Sequence, residues 1–219
     1  MTFRAIQARA AVILCLAMTL VACGPKSPDY QSIWTTSSTT SSVSAAPTTP
    51  IVPLSKYLDS EGVTGIPVSP GELTDLTVSM PTPPAWGPRE PDAKTAPKAV
   101  VISKGNNYPA AILIVLRLRG DFNPTEAIKH ANADLPQGFR RLDGSEADFN
   151  GFPSSMVQGT YELKGARMRS WQRVVLATGS GPDNQRYLVQ LNITSFDGQA
   201  VAESNDVEAI IRGFVVAKK

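Results

Sequence analysis

Few residues in this chain are of the kinds that do covalent or metal chemistry. Its 219 residues include one histidine, His130, and two cysteines, Cys15 and Cys23. A zinc centre needs several His, Cys or carboxylate ligands close together, and a lone histidine does not supply them. A Ser-His-Asp relay would have to run through His130, and no G-x-S-x-G turn exists to present a serine. His130 stands between Lys129 and Ala131 on a helical pattern, which reads as a solvated surface position. Gly179-Ser180-Gly181-Pro182 has the glycines of a phosphate loop without its lysine or its helix, so it reads as a turn between strands. Glu146 and Asp148 could share a strand face as glycosidase acids do, but two solvated carboxylates on a strand edge is the plainer account. The expectation is therefore a protein without catalytic residues, metal or cofactor.

Two features could still recognise a ligand. Arg167, Arg169 and Arg173 fall on one strand face by period two, with Trp171 among them. Guanidinium forks and an indole suit phosphate, carboxylate or sugar groups, although arginines also keep an exposed sheet face soluble. Trp86 sits in a loop with six prolines between Pro81 and Pro97. Its two readings are a plug in the core and a lid over a pocket.

The N-terminus carries an address. Arg4 and Arg9 precede an apolar stretch from Ala10 to Val21. That stretch is too short to span a hydrocarbon core of about 30 Å as a helix and has the length of a signal-peptide core. Leu20-Val21-Ala22-Cys23 follows and resembles the lipobox of bacterial lipoproteins. The resemblance implies cleavage before Cys23 and a diacylglycerol thioether on its sulfur. Two or three acyl chains exceed what stable anchoring requires. Residues 1–22 are then a signal peptide, and the mature chain is tied to the membrane through the Cys23 lipid. Cys15 leaves with the signal, so the mature chain has no disulfide. Removing Arg4 and Arg9 also leaves 19 basic and 19 acidic residues, a balance unsuited to nucleic acid.

Residues 23–53 read as the lipidated cysteine and a tether. Thr, Ser and Pro fill thirteen of the sixteen positions 35–50, a composition that cannot bury enough apolar surface to order itself. Some thirty such residues reach about 30 Å on average. Residues 54–219 then form one domain, expected to be a monomer. A short helix at Leu54–Leu58 should stop at Gly62, and strands are expected at Leu76–Met80, Lys98–Ser103 and Ala110–Leu118, the last covered on both faces. Asn123-Pro124-Thr125-Glu126 starts a second helix running toward Leu135. Strands at Ser154–Leu163 and Arg167–Thr178 join through a Lys164-Gly165 turn, with a shorter strand within Phe139–Phe149. In Arg186–Ser195, Tyr187, Val189, Leu191 and Ile193 face one way and Gln190, Asn192 and Thr194 the other. A last helix, capped by Asn205 and Glu208 or reaching back to Gly198, ends at Arg212-Gly213. Strands in runs with helices between and after them give an α+β fold, a mostly antiparallel sheet flanked by helices.

The lipobox, the tether, Leu76-Thr77-Val78-Ser79-Met80-Pro81-Thr82-Pro83-Pro84-Ala85-Trp86 and Ala147-Asp148-Phe149-Asn150-Gly151-Phe152-Pro153-Ser154-Ser155 together resemble the mycobacterial LpqN/LpqT lipoprotein family. The likeness extends over essentially the whole chain. It implies a PsbP-like sandwich and a lipid-anchored place on the extracytoplasmic face of the cell membrane, in the envelope. With the missing catalytic constellation it points to a non-enzymatic role, binding an amphiphilic cell-wall lipid or glycolipid, with protein contacts at the envelope or host interface as the alternative and a hydrolase as a distant third. It carries over no catalytic residue. Replacing the thiol, Cys23→Ala, should abolish signal cleavage and lipidation. Intact-mass measurement and detergent partitioning of the expressed protein check this.

Overall fold

Period-two burial in the longest strands fixes the architecture, because every second side chain must find cover on the same side of the sheet. A computed structural model describes residues 51–94, 96–105 and 107–219, all within one compact unit, Pro47–Lys219. The signal segment, Cys23 and the expected tether lie outside the described residues. The elements run α1 (Leu54–Ser60), β1 (Thr64–Pro67), β2 (Leu76–Ser79), β3 (Gly87–Arg89), β4 (Val100–Ser103), β5 (Ala110–Arg119), α2 (Pro124–Ala127), β6 (Arg140–Ser145), β7 (Ser154–Leu163), β8 (Ala166–Thr178), β9 (Arg186–Phe196), α3 (Ser204–Gly213) and β10 (Val215–Lys218). The main sheet has the order β3-β4-β5-β9-β8-β7-β6, with β1 on the far end of β5, and β10 pairs with β2 as a separate ribbon. Every pairing is antiparallel, so the α+β expectation holds. No helix among the described residues is long and apolar enough to cross a membrane.

The two faces of the sheet are covered differently. Leu113, Val115, Val175, Val189 and Leu191 lie on one face and are fully buried. The β2–β10 ribbon and α3 close that face with Leu76, Val216 and Ile210, all 0% exposed. Tyr187 belongs to the same face, and its hydroxyl donates to Asp75 Oδ1 at 2.7 Å, pinning the ribbon to β9. On the other face, Leu54, Leu58, Ala127, Ile128 and Ala131 pack on Leu118, Val174, Leu176 and Leu188.

Local chemistry explains the boundaries. Asn123 Oδ1 accepts from the amides of Thr125 and Glu126 at 3.0 and 3.3 Å, the expected helix cap. The helix is shorter than its apolar spacing predicts, because α2 tightens into a 3₁₀ turn at Ile128–His130. Lys164 and Gly165 have φ of 51° and 79°, the pair of positive angles a two-residue hairpin needs. The proline-rich loop contains β3, an edge strand, where a missing amide costs least. The last helix starts at Ser204, and no side chain caps it, in place of the expected Asn205–Glu208 box. Phe214 then turns the chain directly into β10, a strand too short to show a pattern of its own. Truncating Ile210 to Ala should destabilise the fold by about 2–5 kcal/mol, read from denaturant unfolding.

Candidate functional site

The face under α1 is incompletely covered, and the reason is length. α1 has seven residues and α2 four, each too short to cross several strands. Ala110–Leu118 was expected to be buried on both faces, but Ile112, Ile114 and Leu116 are only half-buried. A cavity of about 340 Å³ remains between α1 and strands β5, β9 and β8. Its apolar lining comes from Leu54, Leu58, Val63, Leu116, Leu118, Val174 and Leu188. Gly65 of β1 also lines it, and a Cβ there would stand 3.2 Å from Leu116 Cδ1, so a glycine lets β1 lie close over β5.

Polar side chains also line this groove. Gln172 and Gln190 project from neighbouring strands, with Asp59 and Asp134 among the lining carboxylates. Asn192 stands opposite Gln172 in the ladder, and its buried Oδ1 has no hydrogen-bond partner. A buried acceptor left unpaired costs about 1–3 kcal/mol, but Asn192 lies outside the groove's lining. The sequence gives a partial signal for this site. Even-numbered residues of β5 are apolar, while those of β9 facing the same way include Leu188 and the amides Gln190 and Asn192, a mixture suited to a half-covered face. Gln190 and Asn192 alone look like ordinary solvent-facing positions, and nothing local marks Ser55 or Gly65.

The residues singled out from the sequence lie on the opposite face or elsewhere. Trp86 is 7% exposed, and its Nε1 donates to Asp206 Oδ2 of α3 at 3.0 Å. Burial and this bond give it the position of a plug between the loop and α3, not that of a lid over the groove. Trp171 is buried on the ribbon-covered face with Arg167, Arg169 and Arg173 in the same row. Arg167 and Arg169 share one carboxylate, Asp197, at 3.2 and 2.9 Å. Arg173 instead donates to Ser154 Oγ at 3.0 Å and lies over Phe149. His130 stacks on Tyr57 with ring centroids 4.3 Å apart, and its Nδ1 is 2.9 Å from the Val52 carbonyl, close to the start of α1. Ser180 N donates to the Asp75 carbonyl at 2.9 Å, so the Gly179–Pro182 loop folds as a turn against the start of β2. Among the described residues no cluster of three His, Cys, Asp or Glu could hold a metal.

Comparison with known proteins completes the description. The Lpp-LpqN family model, "Probable lipoprotein LpqN", matches residues 50–217. The chain is 56% identical to the lipoprotein LpqT of Mycobacterium tuberculosis H37Rv over 96% of its own length and 93% of that protein. It is 52% identical to LpqT of Mycobacterium leprae over 96% of its length and 95% of that protein. The crystal structure of Mycobacterium tuberculosis LpqN, described as involved in cell envelope biogenesis, superposes with a TM-score of 0.61 at 22% identity. It covers 77% of this chain and 99% of that one. That likeness shows a shared fold.

Asp206 makes the Trp86 plug sensitive to acid. The indole N–H, and after it the Lys104 ammonium at 3.1 Å, hold its carboxyl below the ordinary 3.8. A carboxylate whose folded value is depressed stabilises the fold above its unfolded value. That contribution disappears as pH falls through the lower folded value. The thermal midpoint of the protein should therefore drop more steeply below about pH 4 than that of Asp206→Asn, as followed by calorimetry across an acid series.

Proposed function

Because this chain belongs to the Lpp-LpqN family, we propose that it is a lipid-anchored envelope protein whose domain holds one apolar chain of an amphiphile in the α1 groove and does not turn it over. The observation that carries this reading is that the groove combines an apolar floor with amide side chains from β8 and β9. Leu58, Leu116, Val174 and Leu188 offer a dry wall, while Gln172 and Gln190 offer polar contacts to a head group. The cavity of about 340 Å³ has room for one slender chain and not for two or three. It lies at the small end of known ligand pockets, about 300–1,000 Å³. Burying an acyl chain is worth about 0.8 kcal/mol per methylene before association costs of about 4–15 kcal/mol are subtracted, so a chain of roughly ten methylenes or more is needed.

Charge narrows the head group. The groove contributes Asp59 and Asp134 and no cationic side chain, so a neutral, hydroxyl- or amide-bearing head is favoured over an anionic one. An envelope lipid or glycolipid of that kind fits the expected anchoring through Cys23, which would keep the domain within reach of the membrane.

Ser55 lines the mouth of the groove on the exposed side of α1, so it can be enlarged without disturbing the core. Ser55→Trp should weaken binding of a fluorescent acyl glycoside at least about tenfold, equivalent to about 1.4 kcal/mol, with an unchanged thermal midpoint. Equal binding by Ser55→Trp would exclude this groove. Absence of saturable binding by the unmodified protein, to neutral and anionic acyl probes alike, would favour the protein-contact role instead.

A further inference from the structure

On the ribbon-covered face, away from the groove, a row of cations runs along β8. Arg167 and Arg169 are answered by Asp197, and Glu162 stands opposite Arg167 at the exposed end of the ladder. Arg173 is different. Among the described residues no carboxylate lies within ion-pair distance of its guanidinium. What it has instead is Ser154 Oγ at 3.0 Å and two aromatic rings, Phe149 at 4.7 Å and Trp171 at 5.7 Å from its central carbon. Burial alone pushes its guanidinium below the ordinary value, with no neighbouring charge contributing.

These contacts leave donors unused. A guanidinium carries five N–H groups in its plane, and contacts with ring faces do not consume them as a hydrogen bond would. Ser154 takes a single one, and its own hydroxyl donates to the Ala147 carbonyl at 2.7 Å. Two residues along the same face, Trp171 is 4% exposed, and its indole N–H has no partner. A buried indole N–H normally finds an acceptor. Two unanswered donors, one of them charged, thus sit on neighbouring positions of one strand face. Phe149, which lies over Arg173, is itself stacked on Phe214 at 5.2 Å, so the guanidinium is held in place.

We propose that Arg173 and the Trp171 indole N–H form a binding site for a single oxyanion, a carboxylate or a phosphate group. The acceptor oxygens would bridge the free in-plane N–H groups of Arg173 and the indole. Arg169 and Arg167 favour an anion at this end of β8 more weakly, since Asp197 already offsets them. The site is independent of the groove, which lies on the other face and is lined by acids.

The test follows the Trp171 indole resonance in the ¹⁵N spectrum of the mature chain carrying Cys23→Ser, assigned by its loss in Trp171→Phe. Inorganic phosphate or acetate at millimolar concentrations should move that resonance saturably, while chloride at equal ionic strength should not. Arg173→Met should weaken the response at least tenfold with the remaining spectrum unchanged, and Arg167→Ala should leave it intact. Competition by phosphatidylcholine vesicles containing phosphatidic acid, but not by phosphatidylcholine alone, would assign the anion to a lipid head group. Competition by soluble phosphate only would assign it to a free ligand, and either result sustains the site. An indole resonance that ignores phosphate and acetate, or that responds equally in Arg173→Met, overturns it.

Discussion

The antiparallel register of β8 on β9 is the constraint on which the rest of the molecule depends. Val175 opposite Val189 and Arg173 opposite Leu191 assign every side chain of both strands to a face. A slip of one residue would turn Trp171, Val175, Tyr187 and Leu191 away from the ribbon and α3, and would bring the amides Gln172, Gln190 and Asn192 into the dry core. The hydrophobic burial of one face and the mixed lining of the other are therefore one fact. The Tyr187–Asp75 bond and the Trp86–Asp206 bond then fasten the ribbon and the loop over the face already chosen.

The difference between the two covers explains where binding chemistry can sit. A ten-residue helix and a two-stranded ribbon close one face down to residues with no exposure, while the arginine row of β8 on that face stays partly exposed. On the other, α1 and α2 are too short to cover β5, so Leu116 and its neighbours keep an open groove. An apolar strip of this kind is costly when it faces water unless something fills it. The polar residues on the two faces also differ in sign, acids beside the groove and arginines along β8. A neutral amphiphile and an oxyanion would thus be sorted to opposite sides of the same sheet.

Much of this organisation is legible in the residues. The alternation of Tyr187, Val189, Leu191 and Ile193 identifies the buried face correctly, and Asn123 and Lys164-Gly165 mark a helix start and a hairpin where both occur. The β1, β3 and β10 strands are not legible, because β1 carries Gly65 and Pro67, β3 lies among prolines, and β10 follows the last helix with only Phe214 between them. The site was harder still. Sequence shows that Arg167, Arg169 and Arg173 share a face, but only tertiary structure shows that Asp197 answers the first two. Trp86 in its proline-rich loop has the same composition whether it plugs or covers. The groove arises from helices that stop early, and α2 gives way to a 3₁₀ turn at a point its apolar spacing does not predict.

The central claim is that an apolar chain lies under α1 against β5, β8 and β9. Isotope-filtered nuclear Overhauser spectroscopy with a protonated acyl glycoside and methyl-labelled protein tests it most directly. The account predicts contacts from the acyl methylenes to the methyl groups of Leu58, Leu116, Val174 and Leu188, and from the sugar protons to the side-chain amides of Gln172 and Gln190. Contacts confined to Met156, Val175 or Leu191 on the opposite face, or a bound probe with no contact to Leu58 and Leu188, would contradict it.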